Sequence, residues 1–150
     1  MKKQKLIFVI YGRDERIYQF LKLFVEKNST AKVISLKEIG PMGLLSIRSR
    51  IRYCLDRADF CIALASQDDV GYLKTEPQNS ENRCRQNVLF ELGSALVALD
   101  NEHCSVIRHS SVVLPSDLGD ITYITYNDFG ENALNDELKK LFEYWNILKN

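Results

Sequence analysis

The chain has 150 residues, of which 45% are hydrophobic and 27% charged, a composition typical of one globular domain. Its twenty basic and twenty acidic side chains cancel, whereas a nucleic-acid-binding domain usually carries a basic excess. No apolar run approaches the roughly 18 residues that a membrane-spanning helix needs, and the run at 6–10 is too short for the core of a signal peptide. We therefore expect a single cytoplasmic domain over residues 1–150, without nucleic-acid or membrane partners.

Five short apolar runs alternate with helical patterns along the chain. The runs lie at 6–11, 32–36, 60–65, 105–108 and 121–124. Apolar residues recur at helical spacing after Asp14 and within 44–55, 85–99 and 134–148. Continuous apolar strands are typical of a parallel sheet that is buried on both faces. The alternation predicts an α/β, flavodoxin-like fold, with a five-stranded parallel sheet in the order 2-1-3-4-5 and helices on both faces.

Polar loops follow the first and third predicted strands, where ligands bind in folds of this type. Neither a G-x-G-x-x-G nor a P-loop pattern is present. Phosphate would then meet the amino ends of the helices that follow, helped by Arg13, Arg83 or Arg85, although each arginine also suits an exposed position. The loop residues that we expect to bind substrate are Tyr11, Gly12, Arg13, Asp14, Asp68 and Asp69.

Glu91 lies in a helical segment that is otherwise apolar over most of its circumference. Its neighbours at helical spacing include Asn87 and Ser94 but no lysine or arginine. Burial of an unpaired carboxylate costs several kcal/mol or raises its pKa, which makes Glu91 a candidate catalytic residue with Asn87 as its polar neighbour. The alternative is a glutamate at the helix surface that reaches water.

Histidine and cysteine do not suggest a second kind of site. The four cysteines include no C-x-x-C pair, and no spacing suits zinc, so we expect no metal. His103 and His109 fall around the fourth predicted strand, and we expect both to lie far from the two polar loops. No Ser-His-Asp or Cys-His arrangement is therefore expected.

One carboxylate is sufficient to cleave the nicotinamide–ribose bond of NAD. An ordinary glycosidic bond needs a second carboxyl group to protonate the leaving oxygen. Nicotinamide instead leaves as a neutral molecule from a pyridinium cation, so no acid is required. A carboxylate such as Glu91 would stabilise the oxocarbenium-like transition state electrostatically.

Four stretches of the chain resemble the bacterial TIR-like family of anti-phage effectors, often described as predicted nucleotide-binding proteins. They lie at 10–15, 68–71, 85–93 and 114–118, and the block from Gln86 to Gly93 is the most specific. The resemblance implies a TIR fold and places Glu91 at the position of the catalytic glutamate. It further implies hydrolysis of NAD to nicotinamide and ADP-ribose or a cyclic form, with NAD as substrate and no other cofactor. Activation would come from TIR–TIR self-association, with a fused or separate sensor domain.

Other functions remain compatible with the sequence. A TIR domain can also be a non-catalytic interaction or nucleotide-sensing module, because fold alone does not decide function. A nucleoside deoxyribosyltransferase-like enzyme would also use a glutamate in a related fold. A phospho-accepting receiver domain is disfavoured, because the third predicted strand ends in Ala65 and Ser66 without an aspartate.

Overall fold

A five-stranded parallel sheet forms the centre of the protein in a computed structural model that describes residues 3–40, 46–127 and 131–150. The strands are β1 (Lys5–Ile10), β2 (Ala31–Ile34), β3 (Phe60–Ala65), β4 (Asp69–Gly71), β5 (Glu81–Arg83), β6 (Cys104–His109) and β7 (Thr122–Tyr126). The main sheet has the order β2-β1-β3-β6-β7. Counted along the chain without the small β4–β5 ribbon, this is the predicted order, so the flavodoxin-like fold is confirmed.

In the described residues, five α-helices cover the two faces of the sheet. They are α1 (Glu15–Asn28), α2 (Leu36–Ile39), α3 (Ile47–Arg57), α4 (Gln86–Leu99) and α5 (Glu131–Tyr144). On one face, Leu21 of α1 and Phe142 of α5 belong to the same apolar core, and on the other, Cys54 of α3 and Leu92 of α4 form a second core. The two cores are separated by strands such as β3, in which all six residues are buried.

Local sequence explains where several helices begin. The side chain of Asp14 accepts a hydrogen bond from the Ile17 backbone N–H at 3.2 Å and caps α1. Ser46 caps α3 in the same way, since its hydroxyl accepts the Ser49 N–H at 3.2 Å. The Asp14 cap places the amino end of α1 directly after the carboxyl end of β1.

Three details differ from the sequence-based prediction. The second strand ends at Ile34 because Ser35 caps the short helix α2 by accepting the Glu38 N–H at 3.3 Å. The antiparallel ribbon of β4 and β5 was not predicted, since three-residue strands carry little periodicity. Leu148 lies beyond the end of α5 and forms an isolated bridge with Ser29 instead. Leu44, the first apolar position of the predicted third-helix pattern, lies outside the described residues.

No helix in the described part of the chain is both long and apolar enough to cross a membrane.

Candidate functional site

Glu91 lies in the second turn of α4, and its side chain is directed toward α3 and the sheet. It is half-buried between the apolar residues Val88, Leu92 and Ala95 of its own helix. Burial raises the pKa of Glu91 to about 7, even though nearby arginines favour its charged form. Among the described residues, Glu91 has no hydrogen bond or ion pair. Glu91 is therefore the partly desolvated carboxylate that the sequence predicts.

Two arginines from outside its helical face lie near Glu91. Arg85 and Arg50 each lower the pKa of Glu91 by electrostatic attraction, although burial has the larger effect. Arg85 occupies the N-cap position of α4, and Arg50 comes from α3. The carboxylate thus carries nearby positive charge without a direct ion pair, an arrangement that keeps its oxygens available for a ligand.

Arg50 was not identified as a site residue from the sequence. Its side chain is half-buried, and its Nε is buried without a hydrogen-bond partner in the described residues. The spacing contained a signal, because Arg50 is four residues before the buried Cys54. Residues at this spacing share one face of a helix, so Arg50 belongs to the inward face of α3.

Gly12 brings the loop after β1 into close contact with the loop after β3. A Cβ atom at Gly12 would lie 2.1 Å from Asp68 Oδ2 and 3.1 Å from Arg85 Cβ. Asp68 is fixed in turn, because its Oδ1 accepts the Ser66 hydroxyl at 2.9 Å and its Oδ2 accepts the Arg85 N–H at 3.4 Å. The two predicted substrate loops therefore meet, and the meeting point lies at the amino end of the Glu91 helix.

Arg13 and Asp69 form an ion pair that joins the same two loops. Arg13 Nη1 lies 2.6 Å from Asp69 Oδ1, with both side chains partly exposed. An arginine already bound to a carboxylate has less charge to offer a phosphate. This pairing weakens the expectation that Arg13 would bind a pyrophosphate.

The helix ends that were expected to bind phosphate already carry carboxylates. Asp14 caps α1, and Asp68 accepts the backbone N–H of Arg85 at the start of α4. A phosphate approaching either end would meet a negative charge, which opposes the attraction of the helix dipole. The arginines around Glu91 are a better place for an anion.

Tyr11 packs against the core on the α1 side of the sheet, whereas Asn87 lies on the same helix as Glu91. Tyr11 stacks on Tyr18 with ring centroids 4.0 Å apart, and its hydroxyl donates to Glu15 Oε1 at 3.3 Å. Burial, followed by the charge of Glu15, raises the pKa of Tyr11 to about 12. Asn87 is exposed on α4, one turn before Glu91 and on the same side of the helix.

A cavity of about 970 Å³ next to Asp68 and Asp69 opens on a different face of α4. Its lining includes Gln86 and Leu89 from that helix. With about 100° per residue, these positions lie about 140° and 200° around the helix from Glu91. This cavity and the Glu91 side chain are thus separated by the body of α4.

His109 lies next to both loops, so the prediction that it would be far from them is wrong. It lines a cavity together with Asp14, Gln67 and Asp68. The reason is that β6 pairs in parallel with β3, which brings the carboxyl ends of both strands to the same edge of the sheet. His103, at the opposite end of β6, contacts Phe60 instead. Within the described residues, no group of three His, Cys, Asp or Glu side chains could hold a metal ion.

Fold and site together define an α/β domain with a lone, partly desolvated glutamate on the helix that follows the third strand of its sheet. A family model of the CAP12/Pycsar effector protein TIR domain matches residues 6–128. The chain therefore belongs to this bacterial TIR-like family of anti-phage effectors, as its sequence blocks suggested.

Two curated relatives are longer proteins. The uncharacterized protein YuaY of Escherichia coli (strain K12) is 27% identical over 124 residues, which cover 83% of this chain and 40% of that protein. The Pycsar effector protein PaPycTIR of Pseudomonas aeruginosa is 39% identical over 74 residues, covering 48% of this chain and 23% of that protein. The chain thus matches less than half the length of either relative.

Among solved structures, the fold is similar to that of the CMP N-glycosidase BcmB of Clostridium botulinum. The TM-score is 0.58 at 15% sequence identity, with 89% of this chain and 98% of that chain covered. At this identity the likeness supports the fold alone.

Proposed function

We propose that this domain is an NAD⁺ glycohydrolase that cleaves the nicotinamide–ribose bond and uses Glu91 as its catalytic carboxylate. The observation that carries the proposal is the half-buried Glu91 carboxylate, which has no hydrogen bond or ion pair among the described residues. Membership of a TIR effector family supports the same assignment. The products would be nicotinamide and ADP-ribose or a cyclic form.

The proposed reaction balances without an acid. The bond between C1′ of the ribose and the pyridinium nitrogen breaks, and its electron pair stays on the nitrogen of neutral nicotinamide. The ionised Glu91 stabilises the oxocarbenium-like ribose, because a fixed charge in a partly desolvated site interacts strongly with developing positive charge. A water molecule then adds to C1′ and releases one proton.

The electrostatics of Glu91 suit a cationic substrate. With a pKa of about 7, Glu91 is roughly half-protonated near neutral pH when the site holds no ligand. A pyridinium cation near the carboxylate would favour its charged form and lower its pKa. Substrate binding would therefore ionise the group that the transition state requires.

Arg50 and Arg85 are the residues that we propose to bind the pyrophosphate. Both lie close enough to Glu91 to lower its pKa, and the buried Nε of Arg50 lacks a partner in the described residues. Arginine binds phosphate oxygens through charge-assisted hydrogen bonds in a planar fork. Arg13, which is paired with Asp69, is the weaker candidate.

Self-association through TIR–TIR contacts is the proposed means of activation. A neighbouring domain would complete the pocket that holds Glu91. A sensor domain, fused or separate, would then control assembly in anti-phage defence.

The rival function is a TIR module that binds a nucleotide or a partner domain without turnover. One experiment separates the two. The purified protein is incubated at high concentration with NAD⁺ and a crowding agent, and nicotinamide is measured by chromatography. Nicotinamide release that is lost in Glu91→Gln supports the enzyme, whereas unchanged NAD⁺ in the parent protein supports the binding module.

A further inference from the structure

A second polar cavity lies at the carboxyl ends of β3, β6 and β7. We call it the strand-end cavity; its volume is about 330 Å³, near the lower limit for small-molecule sites. The polar residues that line it are Asp14, Arg16, Ser66, Gln67, Asp68, His109, Tyr126 and Asn127. Tyr126 belongs to the core that packs on α1 and α5, whereas Glu91 faces α3 on the other side of the sheet. The strand-end cavity is therefore separate from the proposed catalytic site.

Tyr126 is a buried residue whose hydroxyl has no hydrogen-bond partner in the described part of the chain. The residue is only 6% exposed, yet its hydroxyl makes no hydrogen bond to any residue in the described part of the chain. Burial, followed by the charges of Asp14 and Asp68, raises the pKa of Tyr126 to about 12, so the hydroxyl keeps its proton at neutral pH. The hydroxyl is not among the buried atoms that lack a partner, so it reaches water at the cavity, and a ligand that accepts its hydrogen bond would replace that water.

His109 is held in an orientation that provides a second donor. Its Nδ1 accepts the Ser111 N–H at 3.1 Å and lies 2.8 Å from the Ser111 hydroxyl. That hydroxyl oxygen also accepts hydrogen bonds from Gln67 Nε2 at 2.8 Å and Asn82 Nδ2 at 3.0 Å. The Ser111 proton must therefore point at Nδ1, which leaves the imidazole proton on Nε2. The edge of the ring packs against Tyr126, with centroids 5.3 Å apart.

The cavity thus combines donors with acceptors and has a small negative charge. Asp14 and Asp68 are its carboxylates, and Arg16 is its cation. Asp14 uses Oδ1 to cap α1, so its other oxygen remains as an acceptor. A phosphate or carboxylate ligand would be repelled. A hydroxyl group both donates and accepts, and two adjacent hydroxyls can donate to a carboxylate while accepting from Tyr126 and His109.

We propose that the strand-end cavity binds the vicinal hydroxyls of a neutral sugar, such as the ribose of a nucleoside, independently of Glu91. The probe pair is adenosine and 2′,3′-dideoxyadenosine, which differ only in the diol. Adenosine should bind with measurable heat in a calorimetric titration, and the dideoxy compound should bind at least tenfold more weakly. In a tyrosine-labelled sample, adenosine should shift the ring resonances of Tyr126 and leave those of Tyr144, exposed on α5, unchanged.

Variants test the assignment without disturbing the fold. Tyr126→Phe removes a hydroxyl that no described residue uses and should weaken adenosine binding about 3- to 10-fold. Tyr144→Phe is the matched control and should change nothing. Glu91→Gln should leave adenosine affinity unchanged, which keeps this result separate from the proposed hydrolase activity. Equal affinity for both nucleosides, an unchanged affinity in Tyr126→Phe, or loss of binding in Glu91→Gln would each overturn the proposal.

Discussion

Gly12 and Asp68 lie so close together that a methyl group at Gly12 would be 2.1 Å from the Asp68 carboxylate. Asp68 cannot simply turn away, because its two oxygens accept hydrogen bonds from Ser66 and from the backbone of Arg85. The pair therefore fixes the distance between the loop after β1 and the amino end of α4. Since α4 carries Glu91, the position of the candidate carboxylate depends on a glycine in another loop.

We expect Gly12→Ala to destabilise the protein by about 1–3 kcal/mol, as overpacking of a close contact does. The added methyl must displace Asp68 and with it the start of α4, so NAD⁺ cleavage should fall as well. The measurements are chemical denaturation and nicotinamide release. Gly93→Ala is the control, because nothing lies within 4 Å of a Cβ at that helical position. It should be neutral or stabilise by up to about 1 kcal/mol. Equal stability of Gly12→Ala and the parent would show that the contact between Gly12 and Asp68 has room for a methyl group.

Residue pattern was sufficient to predict the sheet and its order, because buried parallel strands such as β3 are continuous apolar runs. It also identified Glu91, because a carboxylate among the apolar residues of a helix can be recognised from the sequence alone. Pattern could not show that Arg50 would face Glu91 from α3, that Arg13 would pair with Asp69, or that His109 would reach the loops. These relationships are set by the packing of elements distant in sequence.

Glu91→Gln should reduce nicotinamide release about 100- to 1000-fold, corresponding to the loss of one preorganised electrostatic contact. Glutamine keeps the volume of the side chain and removes the charge that would stabilise the oxocarbenium. The rate is measured by chromatography at saturating NAD⁺. Glu143→Gln, an exposed position on α5, should keep the parent rate. A Glu91→Gln rate within a few-fold of the parent would exclude Glu91 from the mechanism.

The same substitution should stabilise the protein at high pH and not at low pH. The pKa of Glu91 is raised from its ordinary value of 4.5 to about 7, so the folded state holds its proton more tightly than the unfolded state. Ionisation of Glu91 in the folded protein therefore lowers the free energy of unfolding. The penalty is absent below about pH 4.5, grows between pH 4.5 and 7, and is constant above that range. Glu91→Gln removes it, with a gain on the order of 1–3 kcal/mol at pH 8.

The difference in unfolding free energy between Glu91→Gln and the parent, measured from pH 4.5 to pH 8, tests this linkage. A difference that does not change with pH would mean that Glu91 has an ordinary pKa in the folded protein. The activity of the parent should change with pH in the opposite direction to its stability. It should rise with pH as Glu91 ionises, because only the carboxylate form stabilises the transition state.

Arg50→Gln should shift the pH–rate profile to higher pH and weaken NAD⁺ binding. The positive charge of Arg50 lowers the pKa of Glu91, so its removal makes the carboxylate harder to ionise. Loss of a charged hydrogen bond to phosphate should raise KM for NAD⁺ about 10- to 100-fold. The KM for nicotinamide riboside, which lacks the pyrophosphate, should rise much less. Arg52→Gln is the matched control on the same helix, since its side chain is 82% exposed.

Arg13→Ala offers a direct comparison with Arg50→Gln. If Arg13 binds the pyrophosphate in spite of its pairing with Asp69, Arg13→Ala will show the larger rise in KM for NAD⁺ relative to nicotinamide riboside. We expect the larger effect from Arg50→Gln. Equal losses for both substrates in both variants would show that neither arginine contacts the pyrophosphate.

Specific activity should rise steeply with protein concentration and be near zero when the protein is dilute. If two domains must meet to complete the pocket, the active fraction follows mass action. The sharpest test mixes a dilute parent protein with a large excess of Glu91→Gln, which is inactive but able to assemble. The excess variant should activate the parent, whereas an unrelated protein at the same concentration should not. Constant specific activity from nanomolar to high micromolar protein, with no effect of the added variant, would show that each domain holds a complete site.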